Sequence, residues 1–175
     1  GWDINKESLF DICIRSKVLD VNIIEKLRNQ LDAIEIWPAI FDPKYVRNID
    51  GNFIKSAENK MELAEKVMND IDIFSAKNNT RSNIMIWCGS TEIFFKPGNV
   101  HSSLKNFENG LSNNDPAISP SMIYAYAALK KGVPFANGAP NLAIDIDALI
   151  ELSQINRVPI AGKDFKTGQT LMKTI

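Results

Sequence analysis

Three short apolar runs, each closed by small and polar residues, constrain the fold of this chain more than any other feature. Ile84-Met85-Ile86-Trp87-Cys88 ends at Gly89-Ser90-Thr91, and Val133-Pro134-Phe135-Ala136 ends at Asn137-Gly138-Ala139-Pro140-Asn141. Val158-Pro159-Ile160-Ala161 ends at Gly162-Lys163-Asp164. None of the three alternates apolar with polar, so each suits a strand buried on both faces of a parallel sheet. Helical spacing fills the intervals. Met61, Ala64, Met68 and Ile71 share one helix face, as do Val100, Leu104, Phe107 and Leu111, with Gly110 weakening the end. Ser119-Pro120 reads as an N-cap and first helical position for a helix carried by residues 122–131. That helix turns Ile123, Tyr126 and Ala127 inward and stops at Gly132. Asp145 is placed to cap a helix over 146–153 that buries Ile146, Leu149 and Ile150. Two further helices are read over 6–18 and 23–31, and polar loops over 47–59 and 77–83. Helix, strand, polar loop, helix is the rhythm of an α/β fold.

In such folds ligands sit beyond the carboxyl ends of the parallel strands. All three apolar runs are followed there by small and polar residues, so the three loops point to one crevice. Charge narrows what it takes. Twenty basic against 21 acidic residues leave a net charge of -1, with no basic excess to pull on nucleic acid or anionic lipid. No apolar run approaches the ~20 residues of a membrane helix. Two cysteines, Cys13 and Cys88, make neither a disulfide framework nor a four-thiolate zinc site. No spacing of His, Cys, Asp or Glu suggests a metal. At 175 residues, 45% hydrophobic and 23% charged, the chain is globular in composition, one domain or the parts of two. It opens Gly1-Trp2-Asp3-Ile4, without Met and unlike a signal or transit peptide, and is read as a piece of something longer.

The densest chemistry lies in residues 162–173. Thr167 with Thr170 starts a helix, Lys163 and Lys166 stand just before that start, and Lys173 lies two turns in. Ammonium groups beside a helix N-terminus suit a phosphorylated substrate or a developing enolate. A solvated, capped helix start accounts for the same string, which lacks the P-loop spacing. Residues 113–121 place Asp115 and two serine hydroxyls before a helix. Asp115 there faces ribose or a nicotinamide amide, or else the stretch is a turn with an N-cap. His101 is placed on the solvent side of its helix and reads as a surface histidine. Cys13 and Cys88 read as core, although the position of Cys88 faces the crevice.

Residues 86–92, 113–121, 137–141 and 162–173 occur in one order with one spacing. Together with Gly1-Trp2-Asp3-Ile4 they resemble the myo-inositol-phosphate synthase family over essentially the whole chain. The resemblance implies an α/β fold in two parts. The trailing part of a Rossmann-like NAD-binding domain covers 1–120, and 121–175 begin a glyceraldehyde-phosphate-dehydrogenase-like α+β catalytic and tetramerisation domain. It also implies an NAD-dependent isomerase that converts D-glucose 6-phosphate to myo-inositol phosphate, cytoplasmic and homotetrameric, in inositol and phospholipid biosynthesis. Oxidation at C5, loss of a proton at C6, attack of the enolate on the C1 aldehyde and final reduction leave no net redox change. Carried over by position, Lys166 contacts substrate and oxyanion, with Lys173 and Lys163 as further catalytic cations. Asp115 supports nicotinamide or a proton relay. Cys88, Gly89, Ser90, Thr91 and Ser119 line the NAD crevice, and Asn137, Gly138 and Asn141 lie nearest the sugar. Two departures stand out. Leu171 occupies a position where eukaryotic-type members carry lysine, and the family's Gly-rich dinucleotide loop is absent. The alternatives are an inactive scaffold derived from the enzyme, or an NAD-dependent sugar-phosphate dehydrogenase, which wants a Cys paired with a His.

Overall fold

A computed structural model describes residues 1–165. The readings placed on Lys166, Thr167, Thr170 and Lys173 lie outside the described residues. The chain forms two compact units, one of Gly1–Pro43 with Asn48–Ser56, the other of Lys44–Arg47 with the residues from Ala57 onward.

The first unit runs β1 (Trp2–Asp3), α1 (Leu9–Ser16), α2 (Val21–Lys26), α3 (Arg28–Asp32) and β2 (Trp37–Pro38). Local chemistry sets these limits. The Ser8 hydroxyl accepts from Asp11 N–H, so the helix read over 6–18 begins only at Leu9. Asp20 caps α2 through Asn22 N–H, and Leu27 breaks the second predicted helix into α2 and α3. β1 and β2 pair in parallel, Trp2 opposite Trp37, with the two rings edge to face at 5.9 Å. Phe10, Ile24, Ala39 and Ile40 are buried, and the Arg28 guanidinium sits 3.6 Å from the centre of the Phe10 ring.

The second unit runs α4 (Lys60–Asn78), β3 (Met85–Trp87), α5 (Leu104–Ser112), α6 (Pro120–Lys130), β4 (Phe135–Asn137), α7 (Asp147–Asn156) and β5 (Ile160–Gly162). The strands form one parallel sheet in the order β3-β4-β5, with Trp87, Asn137 and Gly162 level at its carboxyl edge. This sheet joins strands from both sides of residue 120. α6 is buried from Pro120 to Leu129, apolar nearly all round as a central helix must be, and packs against α4 and α7. Phe107, Leu111, Met122, Leu129, Phe135 and Leu149 are shielded from solvent, each worth about 1.5–3 kcal/mol of transfer.

Two expectations are corrected here. The apolar runs are not buried on both faces: Met85 and Phe135 are buried, but Ile86 is 54% exposed and Ala161 is open to solvent. An unalternating run reports that both faces are apolar, not that both are covered. Asp145 does not cap α7, whose N-cap position is Ile146. Its Oδ1 accepts from Ala143 N–H and its Oδ2 from Lys163 Nζ instead. Among the described residues no helix is long and apolar enough to cross a membrane.

Candidate functional site

The carboxyl edge of the sheet is stitched loop to loop. Gly138 N–H donates to Trp87 O at 2.9 Å, and Phe165 N–H donates to Gly138 O at 3.1 Å. Beyond Trp87 the chain emerges: Cys88, Gly89, Ser90 and Thr91 are all exposed, with no side-chain bond among the described residues. The core reading of Cys88 is therefore wrong, because pairing ends one residue earlier; Cys13 is half-buried. Lys163, beyond β5, pairs with Asp145 at 2.7 Å. Asn137 is buried and internally bonded, its Nδ2 donating to Asn141 O and its Oδ1 accepting from Ala139 N–H. Trp87 Nε1 is buried without a partner among the described residues.

Glu92 is assigned no role from the sequence, yet its carboxyl is buried beside these loops. It is 3% exposed, and its carboxylate accepts from both the N–H and the hydroxyl of Ser121, the second residue of α6. Ser119 occupies the N-cap position as expected but makes no side-chain cap bond. Its hydroxyl lies 3.1 Å from that of Ser121. Glu92, reaching in from the loop after β3, supplies the acceptor that the first turn of α6 requires. Its backbone N–H donates to Asn141 Oδ1 at 3.2 Å. Nothing local marks such a residue: a lone Glu beside Ile93 and Phe94 has no periodicity linking it to a helix 29 residues on.

Burial pushes the Glu92 carboxyl above the ordinary range, while the Ser121 and Ser119 hydroxyls, Ser121 N–H and Asn141 pull it down less strongly. The folded protein thus holds this proton more tightly than the unfolded chain. That stabilisation is complete below the ordinary Glu range of about 4.3 and is lost as pH rises through the raised folded value. Glu92→Gln is neutral throughout. Its melting temperature, minus that of the unsubstituted protein, is expected to climb with pH across that window and then level off. A difference that stays flat with pH in thermal melts would contradict this.

The segment entering α6 is held from four directions. Asp115 Oδ1 accepts from Ala117 N–H at 2.8 Å. Lys60 Nζ donates to the carbonyls of Asp115 (2.6 Å) and Ile118 (2.7 Å), and Tyr45 OH to that of Pro116 (2.6 Å). His101 Nδ1 accepts from Gly98 N–H, so Nε2 carries the proton and donates to Ala117 O at 3.0 Å. His101 is 2% exposed, against the surface reading. The expected helix from Val100 is a 3-10 turn over Asn99–His101, followed by α5, which is capped by Ser103; the break redirects the imidazole inward against Phe95. The structure thus brings residues 88–91, residues 137–141 and Lys163 to one sheet edge. It sets Asp115 and Ser119 in the approach to α6.

Fold and loops together define an α/β protein built on a parallel sheet, the kind of fold in which ligands sit beyond the carboxyl edge of the strands. More particularly, the chain belongs to the myo-inositol-1-phosphate synthase family, matching the NAD-binding family of that description over residues 1–172. Inositol-3-phosphate synthase 1 of Bacteroides thetaiotaomicron is 41% identical over 176 residues, covering 100% of this chain and 41% of the relative. Inositol-3-phosphate synthase of Brassica napus is 34% identical, covering 100% of this chain and 35% of the relative. The crystal structure of inositol-3-phosphate synthase from Caenorhabditis elegans superposes with a TM-score of 0.91 at 29% identity, over 99% of this chain and 34% of that one. A myo-inositol-1-phosphate synthase-related protein from Thermotoga maritima shares the fold, with a TM-score of 0.67 at 19% identity.

Proposed function

We propose that the protein carrying this chain is an NAD-dependent inositol-3-phosphate synthase that isomerises D-glucose 6-phosphate to myo-inositol phosphate. The observation that carries the reading is the alignment of three strand ends, Trp87, Asn137 and Gly162, beneath loops of the kind such a ligand needs. The unengaged thiol and hydroxyls of Cys88, Ser90 and Thr91 suit the nicotinamide and ribose end of NAD, with Ser119 and Asp115 on the approach to α6. NAD, when bound, takes a hydride from the sugar and later returns it. The chain's own task is to hold the sugar and the charge that develops on its oxygens. Lys166 is assigned to the oxyanion, Lys173 and Lys163 to further cationic support, and Asp115 to a proton relay or the nicotinamide amide. Asn137, Gly138 and Asn141 shape the loop facing the sugar.

The NAD-binding portion is assigned to 1–120 and the opening of the catalytic domain to 121–175. β3 of the first portion and β4 and β5 of the second share one sheet, so the two assigned portions meet within it. A cytoplasmic homotetramer serving inositol and phospholipid synthesis belongs to the same proposal. The test supplies glucose 6-phosphate and NAD to the full-length protein and scores both product and NADH. Inositol phosphate without net NADH is expected. Net NADH would mean a sugar-phosphate dehydrogenase, and no turnover from folded protein would mean a scaffold.

A further inference from the structure

We propose that Glu92 is a positioning residue that latches the loop after β3 to the loop after β4, and so sets the geometry of the crevice between them without touching ligand. The proposal deepens the function given above and rests on it for the identity of the ligands. Its grounds are geometric. The Glu92 carboxylate is fixed to a rigid object, the first turn of the buried helix α6, through two donors of Ser121. Its backbone N–H is fixed to Asn141 Oδ1, and Asn141 O in turn receives Asn137 Nδ2. One residue therefore joins a helix start and both crevice loops, and all its partners are buried. Thr91 is its direct neighbour in the chain, and the exposed run from Cys88 to Thr91 has no side-chain anchor of its own among the described residues. Glu92 is the first fixed point that this run meets after leaving β3. A displacement of 1 Å in such a loop is enough to cost a large share of productive binding.

In the full-length protein, Glu92→Ala is expected to raise the KM for NAD about tenfold while kcat falls less than about threefold, as for lost ground-state positioning. The kinetics are measured at a temperature where the variant is folded. Glu92→Gln should recover most of the loss, because its carbonyl still accepts from Ser121 N–H. Asn141→Ala should raise KM similarly, and the double variant by no more than the larger single effect, since both open one latch. Folded Glu92→Ala and Asn141→Ala proteins with KM within about twofold of the parent would overturn the proposal, whatever their melting temperatures. So would a double variant whose effect is the product of the singles. Should Glu92→Ala not fold, Ser121→Ala removes one of the two donors; an increase of about threefold in KM is expected, and no increase overturns the latch. If the full-length protein neither binds NAD nor turns over sugar phosphate, the functional reading fails and the latch is judged by amide exchange in Glu92→Ala. Faster exchange in both 88–91 and 137–141 is expected, and acceleration confined to 88–91 overturns it.

Discussion

Replacing Lys166 by alanine in the full-length protein is expected to lower turnover of glucose 6-phosphate by about 10²–10³-fold, the usual loss when one oxyanion-stabilising group is removed. The proposed chemistry passes through an enolate and then an alkoxide, so negative charge appears on oxygen twice in one turnover. A fixed ammonium is most effective there because it interacts far more strongly with the transition state than with the neutral ground state. Lys163 is the natural comparison. Its Nζ already pairs with Asp145 at 2.7 Å, with both side chains more than a third exposed, and such pairs are worth at most about 1 kcal/mol. With its charge engaged, Lys163→Ala should cost less than Lys166→Ala. Steady-state kinetics on the two variants checks the order. Turnover in Lys166→Ala within threefold of the parent, or a larger loss in Lys163→Ala, would move the oxyanion role away from Lys166.

What could be read from the sequence was local, and what escaped was not. The three strands announce themselves because a parallel strand is a short apolar run ended by turn residues, and all three fell where expected. Pro120 at the first position of α6 and Gly132 just past its end were legible for the same reason. The side chains that hold the segment entering α6 were not. Lys60 reaches carbonyls 55 and 58 residues away, Tyr45 one 71 residues away, and Glu92 a helix start 29 residues away. No spacing rule connects such partners; each interaction exists only once the sheet has brought distant loops together. His101 shows the converse failure. An α-helix from Val100 puts it on the solvent face, and a three-residue 3-10 turn is enough to turn it into the core. Asp115 was singled out for its charge, whereas the structure spends one of its oxygens on Ala117 N–H, as an Asx turn does. The cofactor role proposed for Asp115 therefore rests on its remaining oxygen.

Gly138→Ala is expected to destabilise the protein by about 1–3 kcal/mol, the usual cost of forcing an extra carbon into packed structure. At about 2–4 °C per kcal/mol for a domain of this size, a thermal melt resolves that change. The reason is a close approach, not an unusual backbone angle. A Cβ at this position would stand 2.6 Å from the carbonyl oxygen of Trp87 and 2.3 Å from the Phe165 ring. The ring can swing aside, but the carbonyl cannot, because it belongs to β3 and accepts from Gly138 N–H itself at 2.9 Å. Relieving the clash means lengthening that bond and parting β3 from β4 at the carboxyl edge of the sheet. The damage therefore reaches function as well as stability, and the KM for NAD should rise in the folded variant. Gly98→Ala is the control: a Cβ there meets nothing within 4 Å and its backbone is extended, so its effect should stay within about 0.5 kcal/mol. Equal melting temperatures for the two variants would mean that the contact with Trp87 O relaxes at no cost, and that the crevice edge is softer than its hydrogen bonds imply.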